Sequence, residues 1–284
     1  MHLLLALLFA LPTREAALID CSARIVATDG EKMWPGWAAA PRSVLLVGAE
    51  TEWLIAPPAG VPPFEERKRT FDPKLLATFP VFSAEPTVVV GMPAATGKTE
   101  EQWLWTLVHE RFHQFQYSRP GYYERAEKLG LSRGDTTGMW MLNYPFPYDE
   151  AAEPYAAFSR AVGAALRARQ TPNFAPKLRE AKRAWRAFRD ALKPDDYAYF
   201  RFQVWQEGVA RYTEITLTTS EPCATSRPPN MIIDALDKPA LREQKRVAFY
   251  ALGAGIAMLL DETSPDWKRG YIDRPFEIDT YFQP

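Results

Sequence analysis

The chain has 284 residues, of which 47% are apolar and 24% charged, and its formal net charge is −1. This length and composition are typical of a globular protein with a substantial core, arranged as one large domain or two smaller ones. Because the charge is nearly balanced and no basic block is interleaved with aromatic residues, we expect no nucleic-acid partner. A small molecule or a peptide is the expected partner.

The N-terminus carries an apolar run, from Leu3 to Leu11, that is too short to span a membrane and is typical of a secretory signal. It predicts a signal segment over residues 1–17 and export to the periplasm or the extracellular space. No later segment is apolar for long enough to cross a bilayer. In an oxidising compartment Cys21 and Cys223 can form one disulfide bond, and two unpaired thiols fit the sequence equally well.

The segment 18–96 is predicted to be the β-rich part of the protein. Short apolar runs at 43–47, 53–56 and 87–90 are separated by proline-rich stretches such as 57–63. Runs of this length bounded by proline and glycine predict the strands of a small mixed sheet.

Helical periodicity takes over in the segment 97–284. Apolar residues between Leu178 and Leu192, for example, recur at spacings of three and four, which predicts an amphipathic helix. A sheet followed by a helical body indicates an α+β fold. Further helices are predicted over residues 99–117, 148–168, 195–217 and 241–261.

The predicted helix 99–117 contains two of the three histidines in the chain. His109 and His113 are four positions apart, and Glu110 follows the first. On a helix both imidazoles lie on one face and can bind one Zn²⁺, while Glu110 points toward a bound water. This pattern is typical of zinc metallopeptidases. The alternative interpretation is an ordinary surface helix whose histidines face solvent.

A catalytic zinc usually takes three protein ligands, and no histidine remains to provide the third. A carboxylate must therefore do so, and Glu207 is the best placed. Gly208 follows it, and a helical glycine indicates close approach by a neighbouring element, such as the histidine-bearing helix. Glu150, Glu153 and Glu214 are the alternatives, and for Glu214 a salt-bridged helix face is the simpler interpretation.

Taken together, these motifs resemble a known family. His109-Glu110-x-x-His113 combined with Glu207-Gly208-x-Ala210 resembles the gluzincin superfamily of zinc metallopeptidases, particularly its aminopeptidase-like branch. A third segment, Tyr250-x-x-Gly253-Ala254, is similar to the tyrosine-bearing helix of that branch.

The resemblance implies a zincin-like fold and peptide-bond hydrolysis. It assigns one Zn²⁺ to His109, His113 and Glu207, the role of general base to Glu110, and stabilisation of the tetrahedral intermediate to Tyr250. The substrate is then a peptide or protein, and no integral membrane segment follows the signal.

Two departures from the family bear on the substrate. The 94 residues between His113 and Glu207 (207 − 113) exceed the usual interval. The segment Gly91-Met92-Pro93-Ala94 lacks the acid with which the branch binds a substrate amino group. We therefore expect the substrate to pair along the edge of strand 87–93. The alternative function is that of a non-catalytic exported binding or scaffold protein that retains a zincin fold.

Overall fold

The computed structural model of the protein describes residues 12 to 282 except positions 63, 65 and 225–229. Most of the predicted signal segment therefore lies outside the described residues. The described part is α+β, with one small mixed sheet and a mostly helical body, as the sequence predicts.

The described chain divides into two compact units. The first comprises the residues up to 118 together with 217–224, and the second comprises 119–216 and 230–282. The histidine-bearing helix belongs with the sheet, because the first unit continues to residue 118.

The sheet of the first unit has five strands in the order β3-β2-β1-β5-β4. The strands β1 and β5 pair in parallel, and the other neighbours are antiparallel. The three predicted strands are confirmed as β1, β2 and β5, whereas β3 and β4 were not predicted. The strands are β1 Val44–Val47, β2 Thr51–Ile55, β3 Arg67–Lys68, β4 Leu76–Pro80 and β5 Pro86–Gly91.

The position of β5 corrects one expectation. This strand is hydrogen-bonded to β1 on one side and to β4 on the other, so it offers no free edge for a substrate. The edge strand on that side of the sheet is β4. The prediction that a peptide pairs along strand 87–93 was wrong because β4 had not been recognised.

The helices of the first unit begin earlier in the chain than expected. Residues 13–33 are almost continuously helical, although they fall mostly in the part predicted to be β-rich. The sheet itself starts only at Val44. The helices are α1 Thr13–Ile25, α2 Glu31–Met33, α3 Pro93–Thr96 and α4 Glu100–Tyr117, with a π-helical turn at Val26–Gly30 and a 3-10 turn at Trp37–Ala39.

The hydrophobic core of the first unit lies on both faces of the sheet. The strand β1 is buried along its whole length. Its side chains Val44 and Leu46 pack with Ile19 of α1 and with Trp103 and Leu107 of α4. On the opposite face, partly buried residues pack on Leu45, Val47, Leu54 and Val89, and all of them except Phe79 of β4 lie in loops. The sheet therefore fixes α4 through its apolar side chains.

A disulfide bond joins Cys21 of α1 to Cys223, with their Cα atoms 6.3 Å apart. Of the two states that the sequence left open, the structure has the bonded one. A second link runs nearby, because the backbone N–H of Ser220 donates to the carboxylate of Asp29 at 3.0 Å. The segment 217–224 is thus attached to the rest of the first unit at two points.

The second unit consists of helices. The predicted helices 148–168, 195–217 and 241–261 are confirmed, but the last two are interrupted: a π-helical turn at Val204–Gly208 joins α9 to α10, and a 3-10 turn at Lys245–Val247 joins α12 to α13. The helices are α5 Tyr122–Lys128, α6 Trp140–Asn143, α7 Ala152–Arg167, α8 Phe174–Asp190, α9 Pro194–Gln203, α10 Val209–Thr216, α11 Asn230–Asp237, α12 Leu241–Gln244, α13 Ala248–Thr263, α14 Trp267–Asp273 and α15 Asp279–Phe282.

The centre of the second unit is α13. Its residues from Leu252 to Leu260 are all buried, and it packs against α7, α10, α11 and the π-helical turn. Near its start, Phe249 contacts the rings of Phe146 and Phe200 at centroid distances of 5.2 and 5.3 Å.

Among the described helices, none combines the length and apolarity that crossing a bilayer would require.

Candidate metal centre

The helix α4 begins with a capping box and is hydrogen-bonded to the sheet. The Thr99 hydroxyl accepts from the backbone N–H of Gln102, whose side chain accepts from the backbone N–H of Thr99. This capping box satisfies two N–H groups that the first helical turn leaves without partners. Further along, the indole N–H of Trp103 donates to the carbonyl oxygen of Gly91 in β5 at 2.7 Å.

Both histidines on α4 are buried, with exposed fractions of 7% for His109 and 4% for His113. The interpretation of α4 as a surface helix with solvent-facing histidines is therefore wrong. A buried imidazole must find polar partners within the protein or bind an ion.

The two imidazole rings approach each other through their Nε2 atoms. The Nε2 atoms of His109 and His113 are 3.1 Å apart. The Nδ1 atom of His113 lies 2.6 Å from the side-chain oxygen of Gln116. Because that oxygen can only accept, Nδ1 carries the hydrogen, and Nε2 of His113 presents its lone pair. Gln116 thus holds His113 in the tautomer that binds a metal through Nε2.

Glu110 is oriented by a strand of the sheet. Its carboxylate oxygen Oε2 lies 2.8 Å from the hydroxyl of Thr78 in β4, and its exposed fraction is 6%. The same hydroxyl is 3.0 Å from the backbone carbonyl of Glu110. Thr78 therefore links the Glu110 carboxylate to the edge strand β4 by a hydrogen bond.

Glu207 lies in the π-helical turn of the second unit. Such turns insert one extra residue into a helix and re-aim the side chains around it, frequently at functional sites. The Glu207 carboxylate lies 3.5 Å from a guanidinium nitrogen of Arg246. Because the turn is not regular α-helix, the side-chain direction of Glu207 does not follow from helical periodicity.

Tyr250 and Arg246 surround this carboxylate within the second unit. Arg246 donates to the Tyr250 hydroxyl at 2.6 Å, and that hydroxyl also hydrogen-bonds Glu207. Burial, together with the charge of Glu207, raises the pKa of Tyr250 well above its usual range. Tyr250 is therefore a protonated hydrogen-bond donor at neutral pH.

One ligand atom from each of His109, His113 and Glu207 lies within 4.8 Å of the other two, so this group can hold a metal ion. Glu110 is not part of the group. Of the alternatives to Glu207, Glu150 and Glu153 are exposed and are also outside it.

Glu214, the remaining alternative, is explained by a structural contact. Its carboxylate forms an ion pair with Arg211 at 2.7 Å and it is outside the metal-binding group. This agrees with the simpler interpretation of a salt-bridged helix face.

Gly208 packs against a different element from the predicted one. A Cβ atom on Gly208 would lie 2.5 Å from the Cα atom of Gly253 in α13. The close approach that the glycine predicts is therefore confirmed, and its partner is α13, whereas the histidine-bearing helix was expected.

Three residues of the site were missed in the sequence. Gln116 lies three positions after His113, a spacing that places it beside the ring on a helix, and Arg246 lies four positions before Tyr250. Both residues could therefore have been predicted from their spacing along the helix. Thr78 had no such signal, because its strand was not predicted.

No family model matches this chain, and no curated protein or solved structure is detectably similar to it. The function must therefore be inferred from the geometry of the site and from the motifs.

Proposed function

We propose that this protein is a zinc-dependent metallopeptidase of gluzincin type. The observation that carries the proposal is the group formed by His109, His113 and Glu207. Two imidazole nitrogens and one carboxylate oxygen form the donor set of many catalytic zinc sites, which keep a fourth position open. Neighbouring ligands of a tetrahedral zinc ion are about 3.3 Å apart, close to the 3.1 Å between the two Nε2 atoms.

Glu110 is the general base of the proposed reaction. When bound, zinc lowers the pKa of a coordinated water to about 7 and polarises the scissile carbonyl. Glu110 accepts a proton from the attacking water and returns it to the leaving amine. The hydrogen bond from Thr78 orients the carboxylate for both transfers.

Tyr250 and Arg246 supply the remaining polar groups of the mechanism. As a protonated phenol beside the ligand carboxylate, Tyr250 is suited to donate a hydrogen bond to the oxyanion of the tetrahedral intermediate. Arg246 holds Tyr250 through its 2.6 Å hydrogen bond and adds positive charge near Glu207. The role of Tyr250 comes from the family resemblance. Its one hydroxyl hydrogen-bonds Glu207 in the structure, so the hydroxyl turns from Glu207 to the oxyanion in the proposed reaction.

The substrate class is a peptide or protein in extended conformation. The exposed backbone groups of an edge strand can pair with such a chain, and β4 is the edge strand that carries Thr78. Pairing along β4 would bring a peptide toward Glu110. The disulfide Cys21–Cys223 favours an exported protein, because such bonds persist in oxidising compartments.

The proposal is tested by metal analysis of the purified protein, followed by incubation with a broad peptide library with and without a chelator. We expect one zinc ion per chain and chelator-sensitive cleavage. In the variant Glu110→Gln, zinc should remain bound while turnover is nearly abolished. Retained hydrolysis in that variant would remove Glu110 from the mechanism.

Matched ligand variants separate the enzyme from the alternative function. Glu207→Gln should lose zinc, whereas Glu150→Gln, at an exposed position that the sequence also offered, should keep it. A protein that binds zinc at this site and cleaves no peptide in the library would be the non-catalytic binding or scaffold protein.

A further inference from the structure

A group of cations lies on the outer side of α8. The inner side of this helix is packed into the second unit through three buried residues, Ala181, Trp185 and Phe188. At about 100° per residue, the opposite side presents four cations, Arg179, Lys182, Arg183 and Arg186. Arg179 and Arg183 are exposed, and the other two are half-buried. These four residues are called the cationic face below, and they point away from the core of the unit.

The three arginines of the cationic face form no ion pair with a carboxylate of the described residues. The two acids of α8 already have partners on the same helix. Glu180 pairs with Lys177 at 2.7 Å. Asp190 pairs with its neighbour Arg189 at 2.8 Å. Within the described part of the chain, the arginine charges of this face are therefore left for an external partner.

The charges of the cationic face also repel one another. Burial, together with the charge of Arg186, lowers the pKa of the Lys182 ammonium. Repulsion of this kind is relieved when negative charge approaches the face. The row from Arg179 to Arg186 is about 10 Å long, so a single small anion would meet only part of it. A surface with many negative charges would meet all of it.

The shape of the face favours a flat partner. Because the cations lie opposite the packed side of the helix, the face is convex and encloses no ligand. The buried apolar side chains of α8 are already used in the core of the unit, so they are not free to enter a bilayer as those of an interfacial helix do. A partner is therefore held by charge at its surface.

We propose that the cationic face of α8 docks the protein on membranes that contain anionic phospholipids. Groups of about four or more lysines and arginines on a helix are typical of binding to anionic headgroups. The planar guanidinium of arginine suits the phosphate oxygens, to which it can donate two parallel hydrogen bonds. Every residue of the face belongs to the second unit, and the association requires neither zinc nor the proposed peptidase activity.

The test is co-sedimentation of the whole protein with lipid vesicles. One set contains phosphatidylcholine with one-third phosphatidylglycerol, and the other contains phosphatidylcholine alone. We expect binding to the anionic vesicles at about 0.1 M salt and its loss at about 1 M, where the Debye length is about 3 Å. The neutral vesicles should bind no protein. Equal binding to both sets, or none to the anionic vesicles at the lower salt concentration, would overturn the proposal.

Two triple variants assign the binding to α8. The first replaces three arginines of the cationic face by glutamine: Arg179→Gln, Arg183→Gln and Arg186→Gln. The second removes the same charge from three exposed positions elsewhere: Lys68→Gln, Lys74→Gln and Arg269→Gln. The first should bind anionic vesicles about 100-fold more weakly than the parent protein, whereas the second should change binding much less. Similar losses in both variants, each with the Tm of the parent protein, would contradict the site.

A short DNA duplex is the competing probe, because it also presents a row of phosphate groups. We expect the protein to bind the anionic vesicles and to leave the duplex unbound at about 0.1 M salt. If the duplex is bound through the three arginines and the vesicles are not, the face is a nucleic-acid site and the proposal is wrong.

Discussion

Gly208 and Gly253 are in direct backbone contact. A Cβ atom added to Gly208 would lie 2.5 Å from the Cα atom of Gly253, and one added to Gly253 would lie 2.6 Å from the Cα atom of Gly208. Gly208 follows the proposed ligand Glu207, and Gly253 is three positions after Tyr250. The two glycines therefore fix the spacing between the π-helical turn and α13. This contact explains why both motifs contain glycine.

The variant Gly208→Ala should lose about 2 kcal/mol in the free energy of unfolding, because the added methyl group meets backbone atoms that cannot rotate away. Denaturant unfolding of the purified variant measures this loss. The control is Gly163→Ala on α7, whose nearest neighbour is a side-chain oxygen at 3.2 Å that can move. A loss in Gly208→Ala no larger than in the control would mean that the contact tolerates a methyl group.

Gln116 should matter for metal affinity although it is not itself one of the three residues of the metal-binding group. Replacing it by Met removes the acceptor at 2.6 Å from Nδ1 of His113, so the ring no longer favours the tautomer that presents Nε2. We expect zinc affinity to fall about 10-fold to 100-fold, as measured by competition with a chelator.

The control for this change is Gln114→Met on the same helix. Gln114 is buried and donates to the carbonyl oxygens of Ser43 and Pro86, away from the histidines. This variant should be less stable but should bind zinc with unchanged affinity. Equal zinc affinities in the two glutamine variants would show that the tautomer is held in another way.

Thr78 should affect turnover and not metal binding. In Thr78→Val the side chain keeps its shape but loses the hydroxyl that bonds Glu110, so the proposed general base is less well oriented. We expect kcat to fall about tenfold with zinc content unchanged. Thr87→Val on β5 removes a buried hydroxyl that contacts Ser43 and should leave kcat unchanged. Similar kcat values for both variants would separate Thr78 from catalysis.

The elements that could be predicted are those whose burial or capping leaves a recognisable pattern in their own residues. The strand β1 is a continuous apolar run because both faces of the sheet are covered, and α4 begins at a capping box. The strand β4 escaped recognition because an edge strand is only partly buried and its residues, Leu76–Pro80, end in proline. The helix α1 was missed because it directly follows the apolar run of the N-terminus.

The candidate site likewise contains residues that local spacing predicts and residues that it does not. His109 and His113 are four positions apart on one helix and Glu110 directly follows His109, so their proximity follows from local geometry. Glu207 is 94 residues from His113 (207 − 113), so local geometry does not relate the two, and its side-chain direction depends on a π-helical turn that no spacing predicted. Thr78 could not be found without β4, since its contact with Glu110 joins residues 32 positions apart.

The disulfide Cys21–Cys223 should contribute to stability, because it joins residues 202 positions apart. Closing a long loop removes much of the conformational entropy of the unfolded chain. The double replacement of both cysteines by serine should lower the free energy of unfolding by about 3 kcal/mol. Adding a reductant should then change the stability of the parent protein but not that of the variant. A reductant effect on both would have another origin.

The stability of the first unit should depend on pH through Asp29. The Lys32 ammonium at 2.9 Å and the backbone N–H of Ser220 lower the pKa of this carboxyl from 3.8 to about 2. Because the folded state has the lower pKa, the stabilisation is fully present above pH 4 and is lost as the pH falls toward 2. We expect a contribution of about 1 kcal/mol at neutral pH, since Lys32 is largely exposed and its charge is screened.

The measurement is urea unfolding of the zinc-free protein and of Asp29→Asn between pH 7 and pH 2. The difference in unfolding free energy should be constant above pH 4 and shrink below it, because the asparagine side chain does not titrate. Lys32→Gln removes the largest cause of the lowered pKa, so the loss should be smaller and should be complete at a higher pH. A difference between parent and Asp29→Asn that stays constant down to pH 2 would show that Asp29 acts by packing and hydrogen bonding alone.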